Sequence, residues 1–320
     1  KVALELIRCG RARVVLAGGA DALCRMTYYG FHALQLIDPD GARPLDIERR
    51  GLSVAEGAAF VLLVAANEPP PGALAELSGA GLSCDAHHPA APHPEGAGAR
   101  EAMQAALADA GLAPPDIDYL NLHGTGTVDN DAAEARAVRD LFGAAPPPLS
   151  SLKGLFGHSL GASGAIEAVV SALAIDRGFI PANVGCRTPD PALGLRPETA
   201  GRTAAVGAVL SNSFGFGGNN AALVLTAPRR RAFPAAARPL ARFSVLGAAC
   251  LTGAGDIEAT FARFARGEPW GGRPDLGAVR TDIPAGVVRR LKRLPRLTLL
   301  LAEEARRAAG AGTPCGGIFF

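Results

Sequence analysis

Two histidines stand in turns framed by glycine, His123 in YLNLHGTGTVDNDAAEA and His158 in SSLKGLFGHSLGASGAIEA. A neutral imidazole donates an N–H bond, and two of them aimed at one carbonyl oxygen stabilise an enolate or oxyanion. Small hydroxyl residues, Thr125 and Thr127, lie beside the first histidine, and Lys153 lies shortly before the second. A nearby ammonium biases imidazole tautomers and pKa values. Glu167, in the helical run after His158, is a reasonable partner for Lys153, which is otherwise an unpaired charge in a mostly apolar segment. A pair of donors for one oxygen points to carbanion or acyl chemistry.

The same residues carry a competing signature. Gly157-His158-Ser159-Leu160-Gly161 matches the GxSxG nucleophile elbow of α/β-hydrolases and stands before a helix. That architecture places its acid and then its histidine after the serine, and no histidine follows His158, so a serine hydrolase is disfavoured. SNSFGFGGNN lacks GxGxxG spacing and joins two strands, so it is no dinucleotide fingerprint. Its glycines suit a hairpin of positive φ, or they let backbone N–H groups face a reacting oxygen with Phe214 or Phe216 as a movable wall. His87, His88 and His93 share a Pro-containing loop without ligand spacing, which reads as a solvated loop rather than a metal site. His32 reads as structural, and Cys250, with no histidine after it, as a small core residue.

Strands alternating with helices must position these groups. RVVLAGGA and GAAFVLLVAA (57 to 66) read as buried strands, LSGAGLSCDAHH as a weaker one, and residues 98 to 112 as a helix ending at Gly111. IDYLNL (117 to 122) is a strand that delivers His123 at its end, with Asp129 or Asn130 available to cap the following helix. Ser150-Ser151 leads through a glycine turn to the helix ASGAIEAVVSALAI. TAAVGAVLSN and NAALVLTA are two final strands. The unusual turns all fall at strand ends, where α/β folds place their sites.

Residues 228 to 242, rich in Pro, Ala and Arg, read as a linker. Residues 243 to 320 begin a second unit that is incomplete at its C-terminus, with FSVLGAACLTG as a strand, EATFARFARG and LTLLLAEEARRAAG as helices, and GGIFF as a strand cut off part-way. The 320 residues are 48% hydrophobic, enough for a substantial core, and their net charge of +2 directs the chain to neither nucleic acid nor an anionic membrane. Six scattered cysteines without a CxxC pair fit reduced thiols in a cytoplasm. No apolar run reaches the roughly 18 residues of a membrane span. Lys1 opens inside the helical pattern KVALELIR without an N-cap or initiator Met, so the true N-terminus is expected upstream.

The motifs AGGADA, RPLDIERRGLSVAEGAA, SCDAHH, LHGTGTVDNDAAEA, KGLFGHSLGASGAIEA and SNSFGFGGNNAALVL, taken in this order, resemble a β-ketoacyl-acyl-carrier-protein synthase of the thiolase-like fold. The resemblance covers residues 1 to about 227. It implies a thiolase-like layered α/β fold, comprising a C-terminal half and part of an N-terminal half, and a decarboxylative Claisen condensation of malonyl-carrier protein with an acyl-thioester in fatty acid or polyketide-type synthesis. On that resemblance His123 and His158 bind the thioester oxygen, and Lys153, held by Glu167, organises the second histidine. Thr125 and Thr127 line the malonyl and pantetheine end, and Asp131 and Glu134 support the site. Phe216 is the gating residue, and its N–H is half of an oxyanion hole.

The resemblance also implies acyl carrier protein as partner, a homodimer or a heterodimer with a ketosynthase-like subunit, no metal, and no cofactor beyond the carrier's phosphopantetheine. The family's nucleophilic Cys is expected about eight residues before Lys1, and Cys9, near the far end of its helix, cannot replace it. LSVAEG replaces a more usual Phe-containing segment at the acyl-pocket wall. Residues 243 to 320 resemble the opening of a second ketosynthase-like unit, which is expected to dock where the first unit's N-terminal half belongs. A decarboxylase-only unit, a chain-length-factor-like unit and a noncatalytic carrier-protein scaffold are the alternatives.

Overall fold

The structure is a computed structural model that describes residues 1–66, 70–228, 242–269, 271–279, 281–310 and 318–319. In chain order it forms α1 (Val2–Arg8), β1 (Val14–Asp21), α2 (Arg25–Ala33), β2 (Gly57–Ala66), β3 (Glu76–Cys84), α3 (Ala97–Ala110), β4 (Tyr119–Leu122), α4 (Val128–Phe142), β5 (Leu149–Ser151), α5 (Lys153–Phe156) and α6 (Ser163–Arg177). There follow β6 (Phe179–Ile180), β7 (Arg202–Thr203), β8 (Ala208–Gly215), β9 (Asn219–Thr226), β10 (Arg242–Leu251), α7 (Ile257–Ala265), α8 (Ala285–Arg290), α9 (Arg293–Ala308) and β11 (Ile318–Phe319). Apart from its ends, the expected linker lies outside the described residues.

Two mixed sheets dominate among the described residues, one ordered β10-β2-β1-β11 and the other β3-β9-β8-β4-β5. In the first, β1 and β2 run antiparallel, from Val14 opposite Val64 to Asp21 opposite Gly57. In the second, β4 is parallel to both of its neighbours, β5 and β8, so its C-terminal end opens toward a crossover rather than a hairpin. Its four residues are buried, as a central parallel strand requires.

Helix α6 lies between the sheets, against β1 and β2 on one side and β8 and β9 on the other. Its sequence is apolar on nearly every face, and each face has a use. Ile166, Val169 and Leu173 pack with Ala59, whereas Ala172 and Ile175 pack with Tyr119, Val209 and Leu225. Helix α3 covers the outer face of the second sheet. On the outer face of the first, Leu297, Leu301, Ala302 and Ala305 of α9 bury Leu16, Phe60 and Leu62. The result is a stack of helix, sheet, helix, sheet, helix, the layered α/β arrangement expected from the motifs.

Helix α9 and strand β10 pack on the first sheet, while Phe264 of α7 packs with Leu155, Phe156 and Val170. β10 adds to β2 as an antiparallel edge strand, from Arg242 opposite Ala66 to Leu251 opposite Ala58, with a bulge between Val245 and Ala248. Arg293 reaches Glu56 at 2.6 Å. At the inner layer, strand β1 meets the turn after His158 so closely that a Cβ on Gly19 would stand 2.0 Å from the Gly161 carbonyl oxygen.

Three local expectations need correction. Helix α4 starts at Val128 with Thr127 at its cap position, so Asp129 and Asn130 lie inside the first turn instead of capping it. His158 does not follow a strand directly, because the single helical turn α5 intervenes after β5. Helix α2 was not foreseen; its Met, Tyr and Phe side chains sit on a helix none of whose residues is buried against the core.

Candidate active site

The backbone at His123 is clamped by a carboxylate from the next helix. The N–H groups of His123 and Gly124 each donate to one oxygen of Glu134, both at 2.8 Å, and Asn212 Nδ2 donates to Glu134 Oε1 at 3.0 Å. Asp131, one helical turn earlier, accepts the N–H of Gly126 at 3.2 Å and of Leu45 at 2.9 Å. These bonds tie the GTGT turn to the loop that follows α2. Gly126 has φ +83, and a Cβ there would lie 2.7 Å from the Gly51 carbonyl oxygen, so this turn requires glycine. Thr125 and Thr127 join their hydroxyls at 2.8 Å. Burial pushes the Glu134 carboxyl up to about 7 and the Asp131 carboxyl upward as well.

His158 is held from its backbone and from its ring. Its N–H donates to the Ser53 carbonyl at 2.7 Å, and its carbonyl accepts the Ala55 N–H at 3.0 Å, an isolated parallel bridge to the segment before β2. Its Nδ1 accepts the Leu160 N–H at 3.2 Å. A backbone N–H can only donate, so Nδ1 carries the lone pair and the ring proton resides on Nε2. Burial, aided by the Lys153 charge, lowers the His158 pKa to about 3. Burial likewise holds His123 well below the ordinary imidazole range, with Lys153 and His158 adding to the effect. Both rings are therefore neutral at physiological pH.

The rings of His123 and His158 meet edge to face, with centroids 5.4 Å apart and planes at 82°. Lys153, in α5, bonds Glu167 Oε1 of α6 at 2.5 Å, with both side chains buried. Burial pushes the Glu167 carboxyl upward and the Lys153 ammonium opposes that shift. The paired charges satisfy the cost of placing an ammonium behind the imidazoles.

A cavity of about 640 Å³ opens over the two histidines. Thr125, Thr127, Phe214 and Phe216 border it, so the structure brings together the histidines, threonines and aromatics selected from sequence. Lys153, Asp131, Glu134 and Glu167 stand behind that surface and act through their bonds to it. Phe214 lies 5.9 Å from the His123 ring. Phe216, 47% exposed in the turn between β8 and β9, meets Phe31 of α2 at 5.5 Å. Phe31, Leu34, Leu36 and Leu52 complete an apolar wall that the sequence did not single out, apart from the segment containing Leu52.

The rival signals resolve in place. Ser159 is 1% exposed and does not border the cavity, and its hydroxyl points to Ser163 at 3.3 Å. It cannot serve as an exposed nucleophile. The loop histidines hold their own turns, with His88 Nδ1 accepting the N–H groups of Ala90 and Ala91 and His93 Nδ1 that of Glu95. His32 is exposed and stacks on Tyr28 at 6.3 Å. Among the described residues no cysteine borders the cavity. Burial pushes the Cys186 and Cys250 thiols up to about 12.

Residues 1–68 match the β-ketoacyl synthase N-terminal domain, and residues 74–187 match the β-ketoacyl synthase C-terminal domain. The chain is 42% identical to nodulation protein E of Rhizobium sp. (strain N33), over 69% of this chain and 56% of that protein. It is 38% identical to the mitochondrial 3-oxoacyl-[acyl-carrier-protein] synthase of Arabidopsis thaliana, over 69% of this chain and 52% of the relative. Among solved structures, the ketosynthase ApeO in complex with its chain length factor ApeC, from Xenorhabdus doucetiae, superposes with a TM-score of 0.63 at 40% identity, covering 71% of this chain and 56% of that one. The chain thus spans about half the length of the curated relatives it matches.

Proposed function

The chain belongs to the β-ketoacyl synthase family, and from that membership we propose that its two histidines bind the thioester oxygen of a malonyl group on acyl carrier protein while the group loses CO₂. The observation that carries this reading is the pair of neutral imidazoles, 5.4 Å between centroids, opening on one cavity. When the bond from the α-carbon to the carboxylate breaks, its electron pair moves into the thioester and places negative charge on the oxygen. Donors aimed at that oxygen lower the barrier because the charge they meet exists only as the bond breaks. His158 supplies its Nε2–H without first losing a proton, and the Lys153 charge behind it favours the anion. The enolate carbon then attacks an acyl-thioester, a new carbon–carbon bond forms, and the acyl group's thiolate leaves.

For the whole protein this amounts to decarboxylative condensation that yields a β-ketoacyl-carrier protein, in fatty acid or polyketide-type synthesis in the cytoplasm. The thiol that takes the acyl chain is a separate requirement, since no described cysteine borders this cavity. Thr125 and Thr127 are assigned to the malonyl and pantetheine end, and Phe216 to the gate, with its N–H toward the oxyanion. Carrier protein is the macromolecular partner, and a second ketosynthase-like subunit completes the assembly. His123, His158 and Lys153 disfavour the chain-length-factor-like alternative, because they are the groups that would stabilise an enolate.

Incubating the chain with malonyl-carrier protein tests the proposal. CO₂ release is expected and His158→Ala is expected to abolish it, whereas release at an unchanged rate from the variant removes His158 from its role.

A further inference from the structure

The GxSxG serine has no part in that reaction, yet it is buried directly behind the histidine that does. We propose that Ser159 and Ser163 are positioning residues, a two-hydroxyl relay that locks the His158 ring with its proton on Nε2, toward the cavity. The proposal deepens the function assigned above only in what Nε2–H meets, and the tautomer itself stands independently of it.

The geometry fixes the direction of every proton in the relay. Ser163 Oγ lies 3.0 Å from His158 Nδ1 and Ser159 Oγ lies 3.3 Å from Ser163 Oγ. The Leu160 N–H already points at Nδ1, so that nitrogen is an acceptor. The single hydroxyl proton of Ser163 must then turn toward the same lone pair, which leaves its oxygen to accept from Ser159. The opposite tautomer would set an Nδ1–H against the Leu160 N–H, two donors facing each other.

Two features show that this arrangement is held against local preference. Leu160 has φ +50, a left-handed conformation unfavourable for a residue with a Cβ, and this strained turn carries the chain from the ring to Ser163. Ser163 is the first residue of α6, whose position is set by packing between both sheets, so its hydroxyl does not follow the ring if the ring rotates. Ser159 is buried outside the cavity lining, so solvent cannot replace its hydroxyl at low cost, whereas Ser163 stands at the cavity's edge between Ser159 and the ring.

The test is nitrogen NMR on the full chain labelled with ¹⁵N-histidine, with His158 assigned by its disappearance in His158→Gln. The wild type is expected to show one His158 tautomer, with Nδ1 unprotonated and Nε2 protonated. Ser163→Ala is expected to shift the Nδ1 resonance toward the position of a nitrogen without a hydrogen bond, and Ser163→Thr to return it. Ser159→Ala is expected to give a smaller shift in the same direction, and it provides the readout should Ser163→Ala fold poorly. A His158 pattern unchanged in both alanine variants, or a wild-type ring protonated at Nδ1, overturns the proposal. A chain that releases no CO₂ but shows the serine-dependent pattern refutes the decarboxylation and supports the relay.

Discussion

At the residue scale, the site rests on imidazoles kept neutral by burial, and neutrality has a thermodynamic consequence. The folded chain resists protonation of His158 down to about 3, whereas the unfolded chain takes the proton near the ordinary value of 6.5. Between those values the unfolded state binds more protons, so stability falls as pH is lowered, by roughly 1.4 kcal/mol per pH unit for one such group. Glu134 acts in the opposite sense: its folded value of about 7 lies above the ordinary 4.5, so its contribution grows as pH falls through that interval. The difference between wild type and His158→Gln isolates the imidazole. Urea unfolding at a series of pH values is expected to give a shallower acid loss in the variant between about pH 6 and 4, by the slope stated. Parallel curves would mean that His158 is charged in the folded state.

At the element scale, close approach positions the chemistry. Gly19→Ala in β1 forces a methyl group onto the Gly161 carbonyl, in the turn that carries the Leu160 N–H. Overpacking of this kind costs about 1–3 kcal/mol, and equilibrium unfolding is expected to show that loss with weakened CO₂ release. Wild-type stability in the variant would show that the turn is free to move. Apolar runs bounded by turn residues made β1, β2, β4, β8 and β9 legible in the sequence, even though Asn121 of β4 and Ser211 and Asn212 of β8 are buried polar residues within them. The histidines, Lys153 and Glu167 were legible for a different reason, as groups too polar for their surroundings unless paired. The wall from α2 was not, since Phe31 gains its meaning only from Phe216, distant in the chain. The role of Ser159 was obscured by a motif that names a nucleophile, and only its burial against Ser163 shows which way it faces.

At the scale of the whole molecule, the first sheet depends on residues from both ends of the sequence. β10 covers the edge of β2, and α9 covers Phe60 and Leu62. A chain ending at Pro228 bares a row of unpaired backbone groups beside an apolar face, a combination that promotes self-association. Sedimentation is expected to show larger, concentration-dependent assemblies for the truncated chain than for the full chain, and a truncated form of equal solubility would show that the C-terminal segment is dispensable. Helix α6 has a further consequence, which concerns time more than shape. It carries Ser163 at its start and Glu167 one turn later, wedged between two sheets, whereas Phe216 sits half-exposed on a three-residue turn. On the reading proposed above, in which Phe216 is the gate, the groups that settle the protons belong to the packed interior and the gate to its exposed rim, where local opening costs least. On that reading entry and chemistry run on separate clocks, and a substitution at one is expected to leave the other undisturbed.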